Sequence, residues 1–98
     1  MYIIYGKFEW DSEKAKSNLD KHKISFELAT EIFTGPRLEV LDTREDCGED
    51  RFISLGEVEG RCFLVVHTPR TGRTRIISAR KAIKSDQSRY YKEIYGEA

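Results

Sequence analysis

The 98-residue sequence has little cysteine, proline, methionine or tryptophan: it contains two, two, one and one of these residues, respectively. Its apolar residues are dispersed, and no run approaches the ~20 residues that a membrane-spanning helix requires. The opening MYIIYGKFEW lacks the charged start and the long apolar segment of a secretory signal. These absences predict a cytoplasmic protein that does not bind membranes.

The two cysteines, Cys47 and Cys62, lie too far apart for a C-x-x-C redox or zinc motif. Because thiols stay reduced in the cytoplasm, we expect both to be free. The sequence also contains no P-loop, no dinucleotide-binding fingerprint and no nucleophile elbow. It therefore gives no indication of a nucleotide-dependent enzyme or an α/β-hydrolase.

Metal-binding motifs are also missing. The two histidines and the scattered carboxylates show no metal-ligand spacing. The acidic stretch at residues 42–50 lacks the spaced ligands and the closing glutamate of an EF-hand, so we predict a solvated loop there. We expect neither a metal ion nor a cofactor.

The pattern of helix signals predicts three helices. Asp11 is a suitable N-cap for a first helix at residues 12–21, whose thin apolar stripe consists of Ala15 and Leu19. Ser25 is a suitable cap for a second helix at 26–33, and the Gly-Pro pair at 35–36 ends it. Ser85 is expected to cap the last helix, which runs to about residue 95.

The strands show a different period. Alternating or continuous apolar residues predict strands at 8–10, 38–40, 51–58, 61–68 and 73–78. The run at 61–68 is apolar at consecutive positions, as expected for a central strand covered on both faces. The length fits one domain spanning residues 1–98. We predict an α+β fold in which two N-terminal helices and one C-terminal helix pack on an antiparallel sheet.

The net charge of zero conceals a strong asymmetry. Residues 1–60 contain eight Lys or Arg and fourteen Asp or Glu, whereas residues 61–98 contain nine and three, giving charges of −6 and +6. Six of the fifteen residues at 70–84 (RTGRTRIISARKAIK) are basic. Arg73 and Arg75 share one strand face with Ile77, and Arg80 and Lys81 follow at the strand end. This segment predicts a phosphate-binding surface for RNA or DNA, with a protein-binding surface or a simple solubility role as alternatives.

The same residue types also permit chemistry without a metal. RNA is cleaved when its own 2′-OH attacks the adjacent phosphate, which requires a general base, a general acid and a cation. His22 lies at the end of the first helix, and His67 lies at the end of the central strand. Either histidine can equally have a structural or helix-capping role.

Several segments together resemble the BrnT-type toxins of bacterial type II toxin–antitoxin systems, which are relatives of the RelE ribonuclease fold. The similarity extends over nearly the whole chain, although residues 1–7 form an extension to which we assign no role. The matching segments are FEWD (8–11), NLDKH (18–22), ISFE (24–27), DRF (50–52), LG (55–56), LVVHT (64–68) and RIISARKA (75–82).

The resemblance implies a small, metal-independent endoribonuclease that arrests growth and is inhibited by a BrnA-type antitoxin. That antitoxin carries a ribbon-helix-helix-like DNA-binding domain, so the toxin contacts DNA only through a hetero-oligomeric complex. Catalytic roles are implied for Arg75 and Arg80 as phosphate or transition-state binders, and for Lys21, His22 and His67 in proton transfer or substrate positioning. The implied RNA-binding residues are Arg70, Arg73, Lys81 and Lys84.

Two other functions remain open on the sequence. One is a non-catalytic module that binds nucleic acid or protein through the same basic surface. The other is a toxin that has lost its activity and acts only as part of an antitoxin repressor complex.

Overall fold

The computed structural model describes residues 1–44 and 48–96 and shows an α+β architecture in which helices pack on one mixed sheet. Over these residues the sheet has six strands in the order β1-β2-β6-β5-β4-β3. The elements along the chain are β1 (Tyr2–Tyr5), β2 (Phe8–Asp11), α1 (Ser12–His22), α2 (Phe26–Ala29), a 3-10 helix (Thr30–Thr34), β3 (Arg37–Asp42), β4 (Arg51–Val58), β5 (Arg61–Arg70), β6 (Arg73–Lys81) and α3 (Lys84–Tyr95).

The predicted antiparallel sheet is wrong at one pairing. Strands β3 to β6 form the expected antiparallel meander, but β2 pairs parallel to β6, with Phe8 opposite Thr74 and Glu9 opposite Arg75. The paired residues are 66 positions apart, so no local turn signal reports the contact. The N-terminal extension also has a defined place, because β1 pairs antiparallel with β2 and forms a sheet edge.

The first helix confirms its predicted cap but packs in an unexpected way. The Asp11 carboxylate accepts a hydrogen bond from the Lys14 backbone N–H at 3.2 Å. Leu19, expected to pack inward, is 48% exposed, whereas Asn18 is the buried residue of the helix. A polar side chain therefore provides the main anchor between α1 and the sheet.

The Asn18 amide fixes α1 to two other parts of the chain. Its Nδ2 donates to the carbonyls of Ile24 at 3.1 Å and Ala79 at 2.9 Å, and its Oδ1 accepts from the Ala79 N–H at 3.1 Å. These bonds satisfy edge groups of β6 beyond the point where β2 stops pairing. The buried amide therefore makes the hydrogen bonds to β6 that a neighbouring strand would otherwise make.

The predicted eight-residue second helix is not confirmed. Ser25 caps it as expected, accepting from the Leu28 N–H at 3.0 Å, but the α-helix ends at Ala29 and continues as the 3-10 helix. The last helix begins at Lys84, and Ser85 is not its cap. Instead, the Asp86 carboxylate accepts from the Ile83 N–H at 3.2 Å.

The core lies on both faces of the sheet. One cluster packs under α1, α2 and the 3-10 helix, and a second packs under α3. Strand β5 contributes to both, since Phe63 and Val65 belong to the first cluster, and Leu64 and Val66 to the second. This confirms the central position predicted for the apolar run at 61–68. Within the described residues, no helix is long and apolar enough to span a bilayer.

Candidate active site

Basic side chains from three strands and one helix meet in an open cleft of about 360 Å³, which we call the arginine cleft. Four cations line it, and two carboxylates, Asp11 and Glu49, lie among them. Within the described part of the chain, the other polar residue in the lining is Tyr2 of the edge strand. The four cations are Lys14 from α1, Arg51 from β4, Arg70 from β5 and Arg75 from β6.

Arg75 is held at the centre of these elements by neighbours on β1 and β2. Its Nε donates to Glu9 Oε2 at 2.8 Å, its Nη2 forms a short ion pair with the same oxygen, and its Nη1 donates to the Tyr2 hydroxyl at 3.3 Å. The hydrogen bond to Glu9 raises the pKa of Arg75 above its already high ordinary value. A guanidinium has five N–H donors. Three of them bond to Glu9 and Tyr2, and the other two have no partner among residues 1–44 and 48–96, so they can bind an anion while the group stays charged and oriented.

A second ion pair orders the opposite side of the cleft. Glu49 accepts from Arg70 Nη2 at 2.6 Å and from Arg51 Nε at 3.1 Å. The hydrogen bond from Arg70 has the largest effect in holding the pKa of Glu49 below its usual value, so this carboxylate is ionised at neutral pH. The two arginines are thereby fixed side by side next to Arg75.

A smaller depression of about 220 Å³ adjoins the arginine cleft and shares two lining residues with it, Lys14 and Ile77. Its other lining residues include Lys21 and His22 at the end of α1. Two of the predicted catalytic residues therefore lie beside the cleft that contains Arg75, on a helix fixed to the same strand by Asn18.

Arg80 lies elsewhere. Strand β6 continues to Lys81, so Arg80 belongs to the strand and not to a loop after it. Its Nη1 donates to Asp86 Oδ2 at 3.2 Å, next to the start of α3. Arg80 lies five positions after Arg75 along the strand, which corresponds to roughly 16 Å.

The predicted RNA-binding residues lie on three elements, β5, β6 and α3. Arg70 is in the cleft, and Arg73 faces it across the hairpin, with a buried Nε that has no hydrogen-bond partner among the described residues. Lys81 lines a separate cavity of about 210 Å³ beside Cys62, and Lys84 is the first residue of α3.

His67 is buried within the fold. It is 6% exposed, and its ring packs edge-on against Phe33 and stacks with Phe52. Its Nε2 lies 2.8 Å from the Ser54 hydroxyl, which also donates to Glu39 at 2.8 Å. Burial has the largest effect on the pKa of His67 and lowers it, although the nearby Glu39 charge acts in the opposite direction. The neutral form is therefore favoured at this position.

Three cleft residues were missed from the sequence. Lys14 lies seven positions before Lys21, which places both on one helix face, and this spacing was an available signal. Arg51 is part of the DRF segment but stands outside the basic run at 70–84. Tyr2 belongs to the extension, and nothing local indicates that β1 folds back beside Arg75.

Cys62 is a buried free thiol, and burial is the main factor that raises its pKa to about 11. Cys47 and the middle of the acidic stretch at 42–50 lie outside the described residues. Among residues 1–44 and 48–96, no group of three or more His, Cys, Asp or Glu is placed to hold a metal ion.

The arginine cleft has the properties of an anion-binding site with acid–base groups at its edge. Three arginines, each held by an ion pair, line one open volume, and Lys14 adds a fourth positive charge. Such preorganised donors stabilise charge that develops on phosphate oxygens. Lys21 and His22 provide groups able to transfer protons beside it.

Comparison with known proteins assigns the chain to a family. A search of curated proteins returned no match. A family model described as the ribonuclease toxin BrnT of type II toxin–antitoxin systems matches residues 10–86. The matched segment includes all four cations of the arginine cleft but excludes Tyr2. Since the match covers well over half of the sequence, the chain belongs to the BrnT family of ribonuclease toxins of type II toxin–antitoxin systems.

Proposed function

We propose that the protein is a metal-independent endoribonuclease with a RelE-like fold, and that the arginine cleft is its active site. The observation that carries this proposal is the convergence of four cations from α1, β4, β5 and β6 on one open volume. A surface that served only solubility would not require the cations to be oriented by ion pairs such as Arg75 to Glu9 and Arg70 to Glu49.

The reaction is the attack of a ribose 2′-OH on the adjacent phosphate. An O–P bond forms to the 2′ oxygen, the bond from phosphorus to the 5′ oxygen breaks, and the products are a 2′,3′-cyclic phosphate and a 5′-hydroxyl. Arg75 binds the non-bridging oxygens with its two remaining N–H donors, and Arg51 and Arg70 offset the additional negative charge. Lys21 and His22, in the adjoining depression, accept the 2′ proton and donate to the leaving oxygen.

The other predicted site residues take different roles in this proposal. Arg80 and Lys81, together with Arg73 and Lys84, contact the RNA backbone on either side of the cleavage point. Phosphate contacts of this kind give affinity without sequence specificity. His67 has a structural role, because it is buried and bonded to Ser54.

Regulation follows from the family. A type II system includes an antitoxin, and we propose that it is a BrnA-type protein with a ribbon-helix-helix-like DNA-binding domain. The toxin then acts in the cytoplasm, forms a hetero-oligomer with the antitoxin and reaches DNA only through that complex.

The test is an induced-expression growth assay with mapping of new RNA 5′ ends. Wild type is compared with Arg75→Gln and with the matched control Arg61→Gln, whose guanidinium lies over Phe63 and outside the cleft. We expect arrest and new 5′ ends for wild type and Arg61→Gln, loss of both for Arg75→Gln, and rescue by the co-expressed antitoxin. Normal growth with intact RNA at high wild-type expression would instead support a binding module or an inactive toxin.

A further inference from the structure

The N-terminal strand β1 lies outside the segment that the family model matches, yet it contributes to the arginine cleft. Its register on β2 places Tyr2 opposite Asp11 and Ile4 opposite Glu9. The Ser12 N–H donates to the carbonyl of Met1 at 2.8 Å, which fixes the strand immediately before Tyr2. The position of the Tyr2 ring therefore depends on regular backbone pairing.

The Arg75 guanidinium lies over the Tyr2 ring. The guanidinium carbon of Arg75 is 4.2 Å from the ring centroid, and the Tyr2 hydroxyl accepts the hydrogen bond from Arg75 Nη1. Tyr2 is nevertheless 57% exposed. An aromatic ring that is supported on one side by an arginine and open to solvent on the other has the features of a base-stacking platform.

We propose that Tyr2 stacks on a nucleobase next to the phosphate held by Arg75, and so positions the RNA for cleavage. The inference rests on the proposed function, since it places an RNA phosphate at Arg75. Single-stranded RNA is recognised by aromatic side chains that stack on unpaired bases, while cations hold the backbone. Tyr2 supplies the first of these elements and the arginines supply the second, within one cleft.

The strand also provides a matched control. Tyr5 has the same side chain and is also exposed, at 46%, but it lies an odd number of residues from Tyr2 and so on the opposite face of β1. Its ring is 5.4 Å from that of Trp10, which belongs to the core cluster under α1 and α2. Replacing Tyr5 therefore perturbs the same strand without altering the cleft.

The experiment is a double-mutant cycle that combines substitutions of Tyr2 with removal of single bases from an RNA. The probe is a short RNA spanning a mapped cleavage site, with a 2′-deoxynucleotide at that site to prevent cleavage, and with each neighbouring base replaced in turn by an abasic nucleotide. Affinity is measured for wild type, Tyr2→Ala, Tyr2→Phe and Tyr5→Ala. Thermal melts establish that each variant is folded. If Tyr2→Ala does not fold, Tyr2→Leu is used in its place.

For wild type we expect one abasic position to weaken binding roughly 10-fold or more, as base–aromatic stacking does. The same abasic substitution should have little effect on Tyr2→Ala or Tyr2→Leu, and its full effect on Tyr2→Phe and Tyr5→Ala. An abasic penalty of equal size in wild type and Tyr2→Ala would overturn the inference. Failure of wild type to cleave the unmodified RNA would contradict the proposed function instead, so the two failures are distinguishable.

Discussion

The Asn18 amide offers the clearest test of how the site is held together. Asn18→Ala removes three hydrogen bonds, two to Ala79 and one to Ile24. Ala79 is 1% exposed, so water cannot easily replace the lost partners. At about 1 kcal/mol for each bond, the free energy of unfolding should fall by about 3 kcal/mol.

This loss is large enough to measure and small enough to leave a folded protein. For a domain of this size, each kcal/mol lowers the melting temperature by about 4–8 °C, so we expect a decrease of roughly 12–24 °C. Urea unfolding gives the free energy directly, and an unchanged m-value would show that the denatured state is not altered.

Lys16→Ala is the matched control, because Lys16 is an exposed residue of the same helix and alanine favours helix formation. Its effect should be within about 0.5 kcal/mol of wild type. A loss below about 1 kcal/mol for Asn18→Ala would refute the view that this amide anchors α1 to β6.

Three further predictions concern packing, pH and salt. Gly56→Ala should lower the free energy of unfolding by about 1–3 kcal/mol, because the added Cβ would lie 2.6 Å from Ile32 Cβ. Gly35→Ala is the control, because the space around Gly35 is open, and it should not change the stability. Equal effects of the two substitutions in thermal or urea unfolding would contradict this. Burial holds the folded-state pKa of the His67 imidazole below its ordinary value of 6.5, so the stability that the neutral ring contributes is complete above pH 6.5 and is lost as the pH falls toward the folded-state pKa. The stability of His67→Gln, measured by urea unfolding, should therefore depend less on pH below 6.5 than that of wild type, and an unchanged pH dependence would contradict this. Binding of a non-cleavable RNA should weaken as the salt concentration rises. If about three phosphates are neutralised at ~0.7 each, the logarithm of the binding constant should fall against the logarithm of the salt concentration with a slope near −2. A slope near zero would argue against phosphate binding in the cleft.

Local signals allowed much of the secondary structure to be predicted. The caps at Asp11 and Ser25 form as expected, because a short polar side chain before a helical segment satisfies a free N–H wherever it occurs. The turn at Glu59-Gly60, with positive φ at both residues, joins β4 to β5. The apolar run at 61–68 identified the central strand.

The parts that were missed depend on contacts distant in sequence. The parallel pairing of β2 with β6 and the position of β1 come from the sheet as a whole. Asn18 was noticed only as part of a motif, because a polar residue on a helix is usually exposed and only its contact with Ala79 reveals its role. For the candidate site, the basic run identified Arg70 and Arg75, but it could not indicate that Arg51 and Lys14 join them from other elements.

The most direct test of the account is single-turnover cleavage of a defined RNA by purified protein in the presence of EDTA. We expect wild type and Arg61→Gln to produce 2′,3′-cyclic phosphate and 5′-hydroxyl ends, and Arg75→Gln to lose at least about 100-fold in rate while remaining folded, as removal of a transition-state donor does. Wild-type rates in Arg75→Gln would contradict the placement of the active site in the arginine cleft. Cleavage that stops with EDTA and returns with a divalent ion would contradict the metal-independent mechanism.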